Sequence, residues 1–265
     1  MLRALTWNLY HGRDFPPDPA LRTWRSRLLR IDERNATHRQ VNRDLLEEFA
    51  GIIAGADWDV ALLQECPPRW SRELAARCRA EAHVSLTSRN SAGAVRALLA
   101  RQNPDLVASG EGGSNVILVR GDAITERAER VIATEPERRT LALARLASGL
   151  AVANLHASNA PPPKTGPEVI AAAKHATSWH PDGPLVFGGD LNLRPDRAPE
   201  IFEFLEREHG LRGATAPGRI DHLLARDLEP ADPPRAWPPE RREVDDDGLA
   251  IRLSDHAPVE AAFVR

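Results

Sequence analysis

The chain reads as an α/β protein built from two packed, mixed and mostly antiparallel sheets flanked by helices. Apolar runs of strand length alternate with stretches of helical periodicity along most of the 265 residues. Between positions 115 and 155 four strand-like runs follow one another with few helical signals between them, as antiparallel neighbours do. The length suits one large domain with a substantial core, so residues 1–265 are read as a single domain.

The first strand is Leu2 to Asn8. A helix is expected over 41–54, where Leu45, Leu46, Phe49, Ile52 and Ile53 recur on one face and Gly55 ends the pattern. The apolar run 60–63 predicts a buried strand that stops at Gln64-Glu65. Pro67-Pro68 then opens a helix facing Leu74, Ala75 and Cys78 inward. A further helix fits 92–101. Strands are predicted at 115–119, 123–133, 140–146 and 150–155, a helix at 167–179, a strand at 185–187 and a helix at 199–209. Late strands cover 220–225 and 258–264.

Two segments break the pattern. Residues 12–40 form a connection far longer than usual, within which Leu21, Trp24, Leu28 and Ile31 predict a short amphipathic helix with Trp24 toward the core. Residues 227–247, rich in proline and charge, read as a solvated loop.

The 35 basic and 38 acidic residues nearly balance, so no global field advertises nucleic-acid or membrane binding. The first residues lack the charged start and small-residue cleavage site of an export signal, and no apolar stretch is long enough to span a bilayer. Cys66 and Cys78 are then expected as reduced thiols of a cytoplasmic protein, and two cysteines are too few for a thiolate zinc site.

Polar groups that bind metal or move protons recur where apolar strands stop. The first strand ends at Asn8 and the second at Glu65. A later one ends at Asn154-Leu155-His156, and the next at Gly188-Gly189-Asp190-Leu191-Asn192. Another begins at Ile220-Asp221-His222, and Ser254-Asp255-His256 precedes the last. Residues i and i+2 of a strand share a face, so Asp190 and Asn192 are expected to aim at one target, with the two glycines leaving bare backbone for a phosphate and its metal. Each residue alone has a bland reading as a cap, a turn or a satisfied loop group. All of those readings would have to hold at once.

Together these segments resemble the endonuclease/exonuclease/phosphatase superfamily, with its DNase I-like fold. The resemblance runs in order through Thr6-Trp7-Asn8, Leu63-Gln64-Glu65, Asn154-Leu155-His156, Gly189-Asp190-Leu191-Asn192, Ile220-Asp221-His222 and Ser254-Asp255-His256-Ala257-Pro258-Val259. It implies a four-layer α/β/β/α sandwich and a Mg²⁺-dependent phosphoesterase, with Mn²⁺ as a substitute. It also implies roles. Glu65, Asn8 and Asp255 would serve the metal. Asp190 would orient or deprotonate water, and Asn192 would bond a phosphate oxygen. His256, held by Asp221, would contact phosphate or act as acid or base, and His156 would supply the second imidazole. Some relatives orient that imidazole with a glutamate. No such residue is evident here, and Asn115 is the nearest stand-in.

His11 and Arg13 follow Asn8 closely and read either as solvated loop or, for Arg13, as a guanidinium meeting substrate phosphate. Residues 13–43 hold eight arginines against four acidic residues, a rim suited to an anionic substrate. The leading expectation is hydrolysis of phosphodiesters, with nucleic acid one candidate. The alternative is a phosphatase or phosphodiesterase of small or lipid-derived phosphoesters. A non-catalytic binding module is disfavoured, because every principal polar position is filled.

Overall fold

The computed structural model describes residues 1–87 and 93–264. In chain order the elements are β1 (Leu2–Asn8), α1 (Trp24–Leu29), β2 (Glu33–Arg34), β3 (Arg39–Gln40), α2 (Leu46–Gly55), β4 (Val60–Cys66), α3 (Ser71–Cys78), β5 (Glu81–Leu86), α4 (Gly93–Gln102), α5 (Pro104–Val107) and β6 (Ser114–Val119). There follow β7 (Ile124–Ala133), β8 (Arg139–Leu146), β9 (Ala151–His156), α6 (Pro162–Trp179), β10 (Leu185–Asp190), α7 (Pro199–His209), β11 (Asp221–Arg226), β12 (Glu229–Ala236), β13 (Glu243–Asp246), β14 (Leu249–Arg252) and β15 (Val259–Val264).

Two large sheets carry the fold, ordered β12-β15-β1-β4-β6-β5 and β11-β10-β9-β8-β7. Both are mixed: β1 pairs with β4 and β9 with β10 in parallel, and the other pairings are antiparallel. Strand alternation divides the side chains between layers. In β1, Leu5 and Trp7 join Phe49 and Ile53 of α2 and Leu74 of α3 in one core. Ala4 points the other way, into an inter-sheet core with Leu62, Ile117, Val152, Val186 and Phe263. A third core packs alanines 172, 173 and 176 of α6 against Leu155 and Phe187. Helices, sheet, sheet, helices is the expected four-layer order.

Most predicted elements recur within a few residues. The differences have physical causes. β6 and β7, expected as neighbours, lie in different sheets. The expected loop at 227–247 instead contains β12 and β13, and β12 carries Pro230, Pro233 and Pro234. Proline cannot donate to a ladder, and β12 occupies the sheet edge, where that loss is tolerated. α6 begins at Pro162, ahead of the expected 167, with prolines in its first turn where no N–H is needed. α4 runs from Gly93, and its expected first residue, Ala92, lies outside the described residues. Trp24 is not core: it is 66 % exposed, as are Leu28 and Leu29 to more than half, and only Leu21 of that stripe is buried. Cys66 and Cys78 are free and buried. Among the described residues no helix is long and apolar enough to cross a membrane.

A buried polar network ties the two sheets beneath one edge. Gln64 Nε2 donates to Thr6 Oγ1 and to Asn154 Oδ1, and Asn154 Nδ2 donates to the Leu63 and Val116 carbonyls. These groups are fully buried and bonded across the sandwich, so they fix where β1, β4 and β9 end relative to one another.

Candidate active site

Above that network the strand ends converge on a cavity of about 380 Å³. The register of the second sheet places Asp190 between His156 of β9 and Asp221 of β11, one residue from each of three adjacent strands. From the first sheet Asn8 enters at the end of β1, with its Nδ2 donating to Asp190 Oδ2 at 3.0 Å and its Oδ1 accepting from the Tyr10 N–H. Ser254 Oγ donates to the Asn8 carbonyl and accepts from the His256 N–H, which anchors the loop before β15 to β1.

Glu65 reaches the cavity through a distortion. Its φ is +47°, and the β4–β6 register shifts between Leu63 and Cys66. A bulge of this kind re-aims a side chain at the end of a strand. Tyr10 and His11 are also left-handed, at φ +51° and +54°, conformations that cost non-glycine residues on the order of 1–3 kcal/mol each. The strained turn sets His11 Nε2 3.2 Å from Glu65 Oε2, with Nδ1 on the Gly112 carbonyl. His11 is therefore packed in the site and is not a solvated loop residue.

Asp190 and Asn192 do meet, but not by continued strand geometry. Asn192 is left-handed at φ +50°, and its N–H donates to Asp190 Oδ1 while its Nδ2 donates to the Ala157 carbonyl. The glycines have a different purpose from the one expected. A Cβ on Gly188 would lie 2.3 Å from the His222 carbonyl oxygen, and one on Gly189 would lie 2.0 Å from that of Leu155. They let β10 fit between its neighbours; phosphate access does not require them.

The two imidazoles differ in charge. His256 Nδ1 lies 2.9 Å from Asp221 Oδ2 and its Nε2 lies 3.8 Å from Asp190 Oδ2. Burial alone would lower its pKa, but the charge and hydrogen bond of Asp221, with Asp190 and Asp255, raise it to about 10. These carboxylates favour the charged form of the His256 ring. His156 is fully buried, which lowers its pKa to about 3; Glu65 opposes the fall and Arg139 adds to it. Arg139 Nη1 lies 3.3 Å from His156 Nδ1. A guanidinium has only donors, so Nδ1 must accept and the proton sits on Nε2. That proton faces Asp190 Oδ2 at 3.5 Å and Glu65 Oε1 at 3.9 Å.

Arg139 thus occupies the position sought for an orienting partner of His156. Asn115 does not: it is buried between the sheets and donates to the Thr140 carbonyl. Sequence reading missed Arg139 because only the pairing of β8 with β9 brings it to His156. His222 is structural, accepting from the Thr215 N–H and donating to the Leu193 carbonyl. Arg13 does not line this cavity. It lies in a neighbouring one, across Tyr10.

Three carboxylates, of Glu65, Asp190 and Asp255, line the cavity, and that of Asp221 lies behind Asp190 and His256. Burial raises the pKa of Asp190 to about 7, with Asp221 repulsion contributing, and it raises that of Asp255, where the Glu65 charge contributes. Asp221 Oδ1 is buried without a donor. Ligand atoms of Asp190, Asp221 and His256 lie within 4.8 Å of one another. Clustered, incompletely paired oxygen donors fit a hard divalent cation.

Residues 5–256 match the family model described as "Endonuclease/Exonuclease/phosphatase family". No curated protein matches the chain. Among solved structures, mannosyl-6-phosphatase Bt3783 of Bacteroides thetaiotaomicron is similar, at TM-score 0.65 and 13% identity over 100% of both chains. An endonuclease/exonuclease/phosphatase protein of Beutenbergia cavernae aligns at TM-score 0.64 and 17% identity, covering 98% of this chain and 70% of that one. Truncated TDP2 of Caenorhabditis elegans aligns at TM-score 0.60 and 16% identity, over 100% and 97%. These neighbours share the fold, and the family's members are phosphoester hydrolases. With the match spanning nearly its whole length, the chain belongs to the endonuclease/exonuclease/phosphatase family.

Proposed function

We propose that the protein is a divalent-metal-dependent phosphoesterase acting on a small phosphoester. The observation that carries this reading is the convergence of two imidazoles, His156 and His256, on one buried carboxylate, Asp190, at 3.5 and 3.8 Å. Phosphoester hydrolysis needs a proton acceptor for water, donors for the phosphoryl oxygens and a donor for the leaving oxygen. Asp190, raised to about 7, is poised to accept a proton near neutral pH. The His156 Nε2–H and Asn192, which line the cavity, would hydrogen-bond phosphoryl oxygens. The His256 imidazolium donates from Nε2 to phosphate or leaving group, with Asp221 holding its ring. Glu65 and Asp255 would hold the cation, with the Asn8 carboxamide bonding and orienting Glu65. Bound Mg²⁺, or Mn²⁺ in its place, would neutralise charge on the phosphoryl oxygens.

The cavity volume supports a small substrate over a nucleic-acid duplex, and among the described residues no row of exposed aromatics borders it to stack unpaired bases. The mannosyl-6-phosphatase among the structural neighbours agrees with that choice. Purified protein should hydrolyse bis-p-nitrophenyl phosphate with Mg²⁺ or Mn²⁺ and lose the activity in EDTA. A panel of plasmid DNA, RNA and small phosphoesters then decides the class. Strand cleavage with no turnover of small esters would reverse the proposed substrate.

A further inference from the structure

A second cavity, of about 200 Å³, adjoins the catalytic one. Tyr10 lines both, and Ala108 of the second is followed directly by Ser109 of the first. Arg13, Arg22 and Arg27 line the second cavity, and among the described residues none of them has a carboxylate within 4.0 Å. Elsewhere the chain pairs its arginines freely, for instance Arg39 with Asp32 and Arg252 with Glu243.

Two of these guanidiniums are held by their faces. Arg13 stacks over the Tyr10 ring at 3.8 Å and Arg22 over the Phe15 ring at 4.3 Å. Arg13 Nε also donates to the Tyr10 carbonyl. A guanidinium stacked by its face keeps in-plane N–H groups for a planar anion, and its restricted motion lowers the entropy lost on binding. Two acids also line the cavity, and each carboxylate is bonded away from the guanidiniums, Asp14 Oδ2 accepting the Val41 N–H. Asp105 Oδ2 accepts from Gln40 Nε2, and burial raises its pKa despite Arg13 and Arg27. Asp14 is buried and resists ionisation, chiefly through desolvation.

We propose that this cavity is a second anion subsite, which takes a phosphate or carboxylate group of the same substrate whose phosphoester enters the catalytic cavity. The proposal rests on the phosphoesterase reading and adds to it a substrate class: phosphoesters that carry a second anionic group. Tyr10, strained into the left-handed region, is the wall between the two groups.

The test separates binding from turnover. Inorganic tripolyphosphate is titrated by calorimetry in EDTA, which removes metal-bridged binding at the catalytic cavity. Binding to R22Q/R27Q should be at least about tenfold weaker than to wild type. R25Q/R30Q removes equal charge from the same segment outside the cavity and should bind within about twofold of wild type. Equal weakening in both pairs, or no weakening in either, overturns the subsite. The side chains of Arg22 and Arg27 have no hydrogen-bonded partner among the described residues, so the variants should fold, which thermal melts verify.

With Mg²⁺, wild type should prefer pTpT over TpT, or glucose 1,6-bisphosphate over glucose 6-phosphate. The pair whose preference collapses in R22Q/R27Q tells a neighbouring strand phosphate from a second phosphate on a small molecule. No such preference in either pair severs the subsite from the reaction. Bis-p-nitrophenyl phosphate has no second anion and should be hydrolysed equally by wild type and R22Q/R27Q. Its inertness in wild type would sink the phosphoesterase reading and leave the calorimetric answer standing.

Discussion

The two cavities that meet at Tyr10 are built in opposite ways. In the catalytic cavity, hydrogen-bonded strands deliver most principal side chains, the register aligns His156, Asp190 and Asp221 side by side, and the loop that carries His256 is anchored to β1. Its side chains are bonded to one another: Asn8 to Asp190, His256 to Asp221, Arg139 to His156. The arginine cavity is built from the long connection after β1 and from α5, held by short helices and side-chain caps such as Thr23 on the Ser26 N–H. Two of its three guanidiniums rest on aromatic faces. A rigid sheet edge suits chemistry, which tolerates little displacement, whereas an insertion can change and still bind.

That contrast breaks most visibly at the strand ends. D190A and H256A should each lower kcat by about 10³-fold, because each removes a group proposed to transfer a proton or to balance charge at the phosphoryl centre. Steady-state hydrolysis of bis-p-nitrophenyl phosphate measures it. Activity within tenfold of wild type in either variant would mean that the chemistry lies elsewhere.

Arg139 sharpens the same contrast from inside the catalytic cavity. If it sets the His156 tautomer, R139M should lose about 10–10²-fold in kcat, the usual cost of removing a residue that orients a functional ligand. R139Q retains an amide donor and should recover part of the loss. Long-range ¹H–¹⁵N spectra of the histidine rings should show His156 protonated at Nε2 in wild type and a mixture in R139M. An unchanged tautomer in R139M would reduce Arg139 to a wall of the cavity.

The unequal legibility of these parts follows from their construction. Asn8, Glu65, His156, Asp190 and Asp255-His256 were readable because an apolar run ends immediately beside each, and strand periodicity is strong in sequence. Asp221 was readable for the same reason at the start of β11. Arg139 gave no such signal; only the pairing of β8 with β9 brings it to His156. Trp24 was misplaced because helical spacing says which residues share a face but not whether anything covers that face. β12 was hidden by three prolines, which local propensity counts against a strand but which an edge position accepts. The sheet membership of β6 and β7 depends on contacts between residues distant in sequence, which periodicity does not encode.

The smallest expected effect lies on the floor of the arginine cavity, and it concerns stability. Asp14 Oδ2 accepts the Val41 N–H, while Oδ1 is buried without a donor. Burial, then repulsion from Asp105, raises its folded pKa well above the ordinary 3.8. The folded state therefore resists an ionisation that the unfolded chain completes readily. The resulting stability is fully present below pH 3.8, the unfolded value, and is lost progressively as pH rises through the folded pKa. D14N supplies a neutral side chain of the same shape that keeps an oxygen for Val41. It should melt close to wild type near pH 4 and above it at pH 8, by up to the roughly 1–3 kcal/mol that an unsatisfied buried polar group costs. Paired thermal melts across that range measure the difference. A gap that stays constant with pH, or closes as pH rises, would show that Asp14 is ionised in the folded protein, and its negative charge would then count against the arginines above it.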